Sequence, residues 1–370
     1  MVLFGLLLTP FAYASVFGIR IVLVQALFFM ASAFFYFLRS GGIYKNNSSI
    51  LFLIMICIAF FYGVSTGLYR SFYASCIFFV LTYWICFFSG HFHILFLMRL
   101  VKIYIWAVIL TSISLILQVF LFLIFGLDLF DITIFGGGRL GFKLNWSDYS
   151  FLSLYLVSVI PMVHLVFSSN FKFFVISILL FSSLATSART GIASIFIFII
   201  GWTIFEIFKS IYRGRIKKKL PIALFSVFMA PIIVLYLLPL ITGRELSSSS
   251  SGRFEGFLHG LEYFMNNPFF GAMFDSESYL SHVSTVPHNI FIYFLTMGGG
   301  MFYFFWILWG VLIIREIRFA DLNIIYSLVV MLIGFQFIPS FFSAYFFCLT
   351  LSIAILSSAI NYRYYRLSAR

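Results

Sequence analysis

Residues 103–126 read IYIWAVILTSISLILQVFLFLIFG, and none of them carries a charge. A helix rises about 1.5 Å per residue, so this run can cross the ~30 Å hydrocarbon core of a bilayer. Similar runs recur on both sides of it. They predict twelve spans, near 2–18, 20–38, 49–67, 72–89, 103–126, 149–168, 171–187, 190–208, 221–240, 288–313, 323–338 and 340–361. The seventh and eleventh are short, and residues 91–102 are expected to form an interfacial helix leading into the fifth. Backbone in lipid must satisfy its own hydrogen bonds, so these runs are helices. The alternating pattern of a membrane barrel is absent.

Composition supports that reading. The 370-residue chain is 63% hydrophobic and 9% charged, with a mean hydropathy of +1.11. A water-soluble core cannot absorb that much apolar surface. The expected fold is an all-α polytopic membrane protein forming a single membrane domain over 1–370. Ala12-Tyr13-Ala14 resembles a signal-peptidase site, but the run before it has no Lys or Arg, so it is read as the first span. Cys57, Cys76, Cys86 and Cys348 fall inside predicted spans without metal-ligand spacing and read as small packing residues.

Charge sets the orientation. With both termini inside, sixteen of the 23 Lys and Arg lie inside and seven outside, the asymmetry expected of cytoplasmic loops. The net charge of +12 is therefore a topology signal, and a nucleic-acid partner is not expected. Anionic headgroups account for the inside cations. The outside ones, Arg20, Arg70, Arg139, Lys143, Arg189, Arg244 and Arg253, need another reason, and anion binding is the obvious one. A phosphate on that side, where ATP is lacking, would belong to a lipid-linked substrate.

Three outside segments can carry chemistry. Residues 127–148 form a loop containing Phe135-Gly-Gly-Gly-Arg139 and Lys143-Leu-Asn145-Trp146-Ser-Asp148. Here glycines allow close backbone approach, Arg139 and Lys143 stand at the mouth of a helix, and Asn145 or Ser147 would cap that helix. Ser187-Ala188-Arg189-Thr190-Gly191 is a short turn between apolar runs, where an arginine is costly unless paired or facing water. Residues 242–287, between the ninth and tenth spans, make the largest loop. It carries Arg244, Arg253 and Glu255, a helical piece reaching Tyr263, and a stop at Asn266-Asn267-Pro268. It leads to His288-Asn289 at the next span. His288 is placed to act as a general base, with Glu255, Glu262, Asp275 and Glu277 as rivals. Gly298-Gly299-Gly300 is expected to allow a kink or close helix packing.

The ordered blocks Arg139…Asn145, Ser187-Ala-Arg189-Thr-Gly191 and Arg253…Asn267-Pro268-Phe-Phe-Gly271…His288-Asn289 together resemble the superfamily of Wzy-type O-antigen polymerases and O-antigen ligases. The resemblance covers roughly residues 136–310. It implies a GT-C-like bundle and a metal-independent, cofactor-free glycosyltransferase of the bacterial inner membrane. Its substrate would be an undecaprenyl-pyrophosphate-linked oligosaccharide, with a chain-length regulator and a flippase as partners. By the resemblance Arg189 and Arg253 hold pyrophosphate and Arg139 matches an upstream loop arginine, while Arg244, as an outside cation of the large loop, is expected to join them. His288 matches the histidine of a His-Asn motif and would act as base, and the residues themselves keep Glu255 as a rival base and Lys143 and Asn289 as secondary contacts. The family often has a Trp soon after the Arg253 position, where this chain has Phe254 and Phe257. The polymerase is the expected activity, the ligase the alternative and a lipid-linked oligosaccharide transporter the more remote one. The transporter expectation is weakened by the lack of internal repeats.

Overall fold

The computed structural model describes residues 1–40, 46–87, 94–130, 132–135, 139–212, 253–283, 285–338 and 341–368. The ninth predicted span, Arg244 and the basic run 213–219 lie outside them. The described chain is helical apart from two small antiparallel hairpins, Ser15–Val16 with Ile19–Arg20 and Thr133–Phe135 with Arg139–Gly141.

Its helices are α1 (Val2–Leu7), α2 (Ile21–Ser40), α3 (Asn47–Thr66), α4 (Arg70–Tyr83), α5 (Ile94–Phe125), α6 (Tyr149–Ser158), α7 (Ile160–Val166) and α8 (Ser169–Ala185). They continue as α9 (Arg189–Tyr212), α10 (Arg253–Asn266), α11 (Ser276–His282), α12 (Ile290–Glu316), α13 (Leu322–Gly334) and α14 (Tyr345–Ser368). Seven helical stretches are long and apolar enough to cross a membrane: α2, α3, α5, α6 with α7, α9, α12 and α14. Three apolar ones, α4, α8 and α13, are shorter. The protein is thus an all-α, multi-pass membrane protein.

Several span expectations need correction. The first predicted span is not one helix: α1 stops at Leu7, a 3-10 turn holds Thr9-Pro10-Phe11, and the first hairpin follows. Pro10 lacks an amide hydrogen and locks φ, so the helix cannot run through it. Gln25, fully buried on α2, donates to the Gly5 carbonyl at 2.9 Å and the Thr9 hydroxyl at 3.2 Å across that break. The interfacial helix expected at 91–102 does not stand apart. Its described part is the start of α5, whose 32 residues run about 48 Å. The sixth span breaks between Ser158 and Ile160, ahead of Pro161.

α13 has 13 residues, about 20 Å, too few to cross alone. The described residues beyond it up to Tyr345 are irregular, with Phe335, Ile338, Phe341, Phe342 and Ala344 all buried, and α14 begins at Tyr345 rather than near 340. Non-helical backbone at membrane depth is stable only when protein rather than lipid surrounds it. An aromatic core provides that cover. Phe294 lies 4.8 Å from Trp306 and 5.3 Å from Phe342, and Phe78 lies 5.1 Å from Phe341.

The packing order places the loops. α3 packs on α4 and α12, α4 on α14, α5 on α8, α6 on α8 and α9, and α13 on α6, α7, α9 and α14. Tyr13, from the turn before the first hairpin, donates to the Ser343 carbonyl and sits 5.5 Å from Tyr345 and 4.8 Å from Trp146. Trp146, 2% exposed, also lies 4.9 Å from Tyr155. Chain from the first, fifth-to-sixth and last connections therefore meets at one end of the bundle, called here the upper end.

Candidate functional site

The Arg189 turn is built by local sterics. α8 ends at Ala185, and Ser187 adopts a left-handed φ of 57° that turns the chain into α9, whose first residue is Arg189. Thr186 Oγ1 accepts from the Ala188 amide at 3.1 Å. Gly191 follows because α6 comes too close for a side chain: a Cβ there would sit 2.4 Å from the Ser153 carbonyl oxygen. Ser153 Oγ accepts from the Gly191 amide at 3.2 Å and shares a 2.7 Å bond with Ser183 Oγ. Arg189 is half-buried at the N-terminus of α9, where the helix dipole adds positive potential.

The Arg139 loop docks on this turn. Ser187 Oγ donates to the Leu140 carbonyl, one residue from Arg139. Arg139 itself starts the second strand of the hairpin that pairs with Thr133–Phe135. That hairpin was not anticipated in the 127–148 loop. Tyr149 OH donates to Thr133 Oγ1 and ties the hairpin to α6. Lys143 Nζ lies 5.7 Å from the Tyr149 ring centroid, so its charge rests on the first residue of α6. The expected cap at Asn145 or Ser147 is corrected. Asp148 caps α6, its carboxylate accepting from the Ser150 amide at 2.5 Å, while Asn145 and Ser147 are exposed. Asp148 wins because its side chain reaches the second helical amide and its charge complements the dipole.

The segment from Arg253 folds as two helices rather than as open loop. α10 begins at Arg253, places Glu255 in its first turn and runs past Tyr263 to Asn266. Gly256 lies against Thr285, and Gly260 against Pro287 and Ile292, so α10 packs along the chain that enters α12. Arg253 and Glu255 thus begin a helix that is docked beside Thr285–His288. Glu255 is exposed. Asp275, a rival base, caps α11 instead: it accepts from the amides of Glu277 at 3.0 Å and Ser278 at 3.1 Å. Burial, with the Asp275 carboxylate adding, raises the Tyr263 hydroxyl above its ordinary value, and burial pushes that of Tyr279 up to about 12. Both phenols stay protonated near neutral pH, so neither is a base there.

His288 is half-buried immediately before the cap of α12. Asn289 is that cap: its side-chain oxygen accepts from the amides of Phe291 at 2.9 Å and Ile292 at 3.3 Å. Its amide nitrogen donates to Gln336 Oε1 at 2.8 Å, and the Ile290 amide bonds the Phe335 carbonyl at 3.2 Å. This fixes the His288-Asn289 corner to the end of α13, which packs on the Arg189 helix. Gln336 was not singled out in sequence, because one glutamine after an apolar run carries no spacing signal.

Pro268–Phe274 does more than turn back. It threads into a break in α12 at Gly299, whose φ of 69° and ψ of 175° suit glycine alone. The Gly300 amide bonds the Pro268 carbonyl at 2.7 Å, the Ala272 amide the Thr296 carbonyl at 2.9 Å, and the Phe274 amide the Met297 carbonyl at 2.8 Å. The carbonyls and amides freed by the kink are thereby satisfied.

The structure therefore joins the expected residues in two groups, Arg139 with Arg189 and Arg253 with Glu255 and His288-Asn289. Gln336 and α13 link them. No protein-family model matches this sequence, and no curated protein matches it.

Proposed function

We propose that this protein is a Wzy-type O-antigen, or related surface-polysaccharide, polymerase of the bacterial inner membrane, built on a GT-C-like bundle of about twelve spans with both termini cytoplasmic. The observation that supports it is the pair of arginine-bearing helix starts at one end of the bundle. Arg189 opens α9 where the Arg139 loop is pinned, and Arg253 opens α10 alongside the His288 corner. Helix starts and guanidinium groups are the natural holders of phosphate oxygens.

In the reaction, a hydroxyl of one lipid-linked repeat unit attacks the anomeric carbon of another unit. The bond from that carbon to the pyrophosphate oxygen breaks as the new glycosidic bond forms on the opposite face, inverting the centre. Lipid pyrophosphate leaves with the bonding electron pair. Arg189, Arg253 and Arg139 stabilise its growing charge, and Arg244 would join them from its segment outside the described residues. His288 takes the acceptor hydroxyl proton, with exposed Glu255 as the other base at this corner. Lys143 and Asn289 act by position: one lies over Tyr149 and the other holds the His288 corner.

The test is a gel of surface glycolipid from a bacterium from which this chain has been deleted. Core carrying one repeat unit would support the polymerase. Bare core with lipid-linked polymer accumulating would identify the ligase. An unchanged ladder would sink both readings for that polysaccharide and favour the transporter.

A further inference from the structure

A cavity of about 250 Å³ lies at the opposite end of the bundle, away from the candidate site, bordered by the start of α3, the end of α12 and the last turns of α14. Its lining includes Asn46, Arg315, Glu316, Arg318, Ser358 and Tyr362. Arg315 and Arg318 are exposed, and neither guanidinium is paired with a carboxylate among the described residues. Arg318 lies with its guanidinium carbon 4.6 Å from the Phe319 ring centroid, a cation–π contact at the rim.

The Glu316 carboxylate is bonded to α3 and not to either guanidinium. It accepts from the Ser48 amide at 3.0 Å and the Ser48 hydroxyl at 2.6 Å, at the first turn of that helix. Behind Ser48 the chain of bonds continues to Tyr83 OH at 2.9 Å and on to Trp309 Nε1 at 2.6 Å. Ser358 Oγ accepts from the Phe319 amide at 3.2 Å and keeps its own hydrogen to donate. The cavity thus offers two guanidinium groups and a hydroxyl, with its one carboxylate already engaged.

Position identifies the source of the anion. The apolar crossing segments of α3, α12 and α14 have ends at Asn47, Glu316 and Arg363, so the cavity lies at the depth where hydrocarbon gives way to headgroups. We propose that it binds the phosphate of an anionic phospholipid headgroup, with Arg315 and Arg318 as its principal contacts. The cavity suits one phosphodiester with bridging water, being smaller than the ~300 Å³ floor of pockets for drug-sized ligands. This inference is independent of the proposed glycosyl transfer.

The experiment uses the full chain in nanodiscs of phosphatidylcholine, alone or mixed with phosphatidylglycerol, followed by thermal unfolding. A third arm adds inorganic phosphate to the phosphatidylcholine discs. The expected result is a higher melting temperature with phosphatidylglycerol and none of that gain with inorganic phosphate. Arg315→Gln with Arg318→Gln should melt normally in phosphatidylcholine and lose the gain, each arginine weakening apparent lipid affinity about tenfold. Arg99→Gln, a cation elsewhere at this end, should keep it, and Glu316→Gln should enlarge it. A double variant that retains the full gain overturns the site. A gain from inorganic phosphate alone overturns the headgroup source. No gain in any arm overturns phosphate binding altogether.

Discussion

At the scale of single residues, the turn before α9 shows how little room the upper end leaves. Gly191 meets the Ser153 carbonyl where a Cβ would be 2.4 Å away, and both partners are backbone in packed helices. Gly191→Ala should therefore lower the melting temperature in detergent, with a cost of about 1–3 kcal/mol, the usual range for overpacking. Gly299→Ala faces two penalties: a left-handed φ, and a Cβ 2.3 Å from the Phe269 carbonyl. It should destabilise at least as much and loosen Pro268–Phe274, read as faster amide exchange there. Arg189 differs in kind. Arg189→Ala should leave the melting temperature near that of the parent, while polymer formation falls by roughly 100- to 1000-fold, the cost of removing one preplaced charge contact. Full polymer from a normally inserted Arg189→Ala protein would remove this residue from the proposed chemistry. The Ser187-Ala-Arg189-Thr-Gly191 signal was visible in sequence because an arginine between apolar runs is costly. The reason for its glycine was not, since Ser153 is 38 residues away and reaches it only through helix packing.

At the scale of elements, the corner Asn289–Gln336 joins two helix ends from different parts of the chain. Asn289→Ala removes the cap of α12 and the 2.8 Å bond to Gln336. The expected loss is about 1 kcal/mol from the cap, with more from the stranded Gln336 carbonyl. Gln336→Leu should keep the cap yet free the corner, so a larger drop in activity than in melting temperature would separate positioning from stability. The stop at Asn266-Asn267-Pro268 was legible because proline and asparagine end helices. The docking of Pro268–Phe274 into the broken α12 was not, because two segments that exchange backbone bonds leave no shared periodicity in sequence. Likewise, Pro10 marks a break in the first apolar run, but that run's hydrophobicity alone predicted a continuous span.

At the scale of the whole molecule, the charge asymmetry predicts which end faces the cytoplasm. In a background where the four native cysteines are replaced, Glu277→Cys on exposed α11 should react with a membrane-impermeant maleimide in intact cells. Tyr212→Cys, 93% exposed at the far end of α9, should react only after permeabilisation. The reverse pattern would invert the orientation and put the candidate site inside. Sequence by itself determined that the chain lives in lipid as helices, because apolar runs of span length leave the backbone no other way to satisfy its hydrogen bonds. It also marked the exceptional residues, Arg139, Arg189, Arg253 and His288, since polar groups between such runs stand out against them. Only the tertiary structure decided which of these share an end and which helices are broken or half-length. Those facts rest on contacts between distant segments, namely Ser187 with Leu140, Gly256 with Thr285, and Asn289 with Gln336, which local hydropathy does not encode.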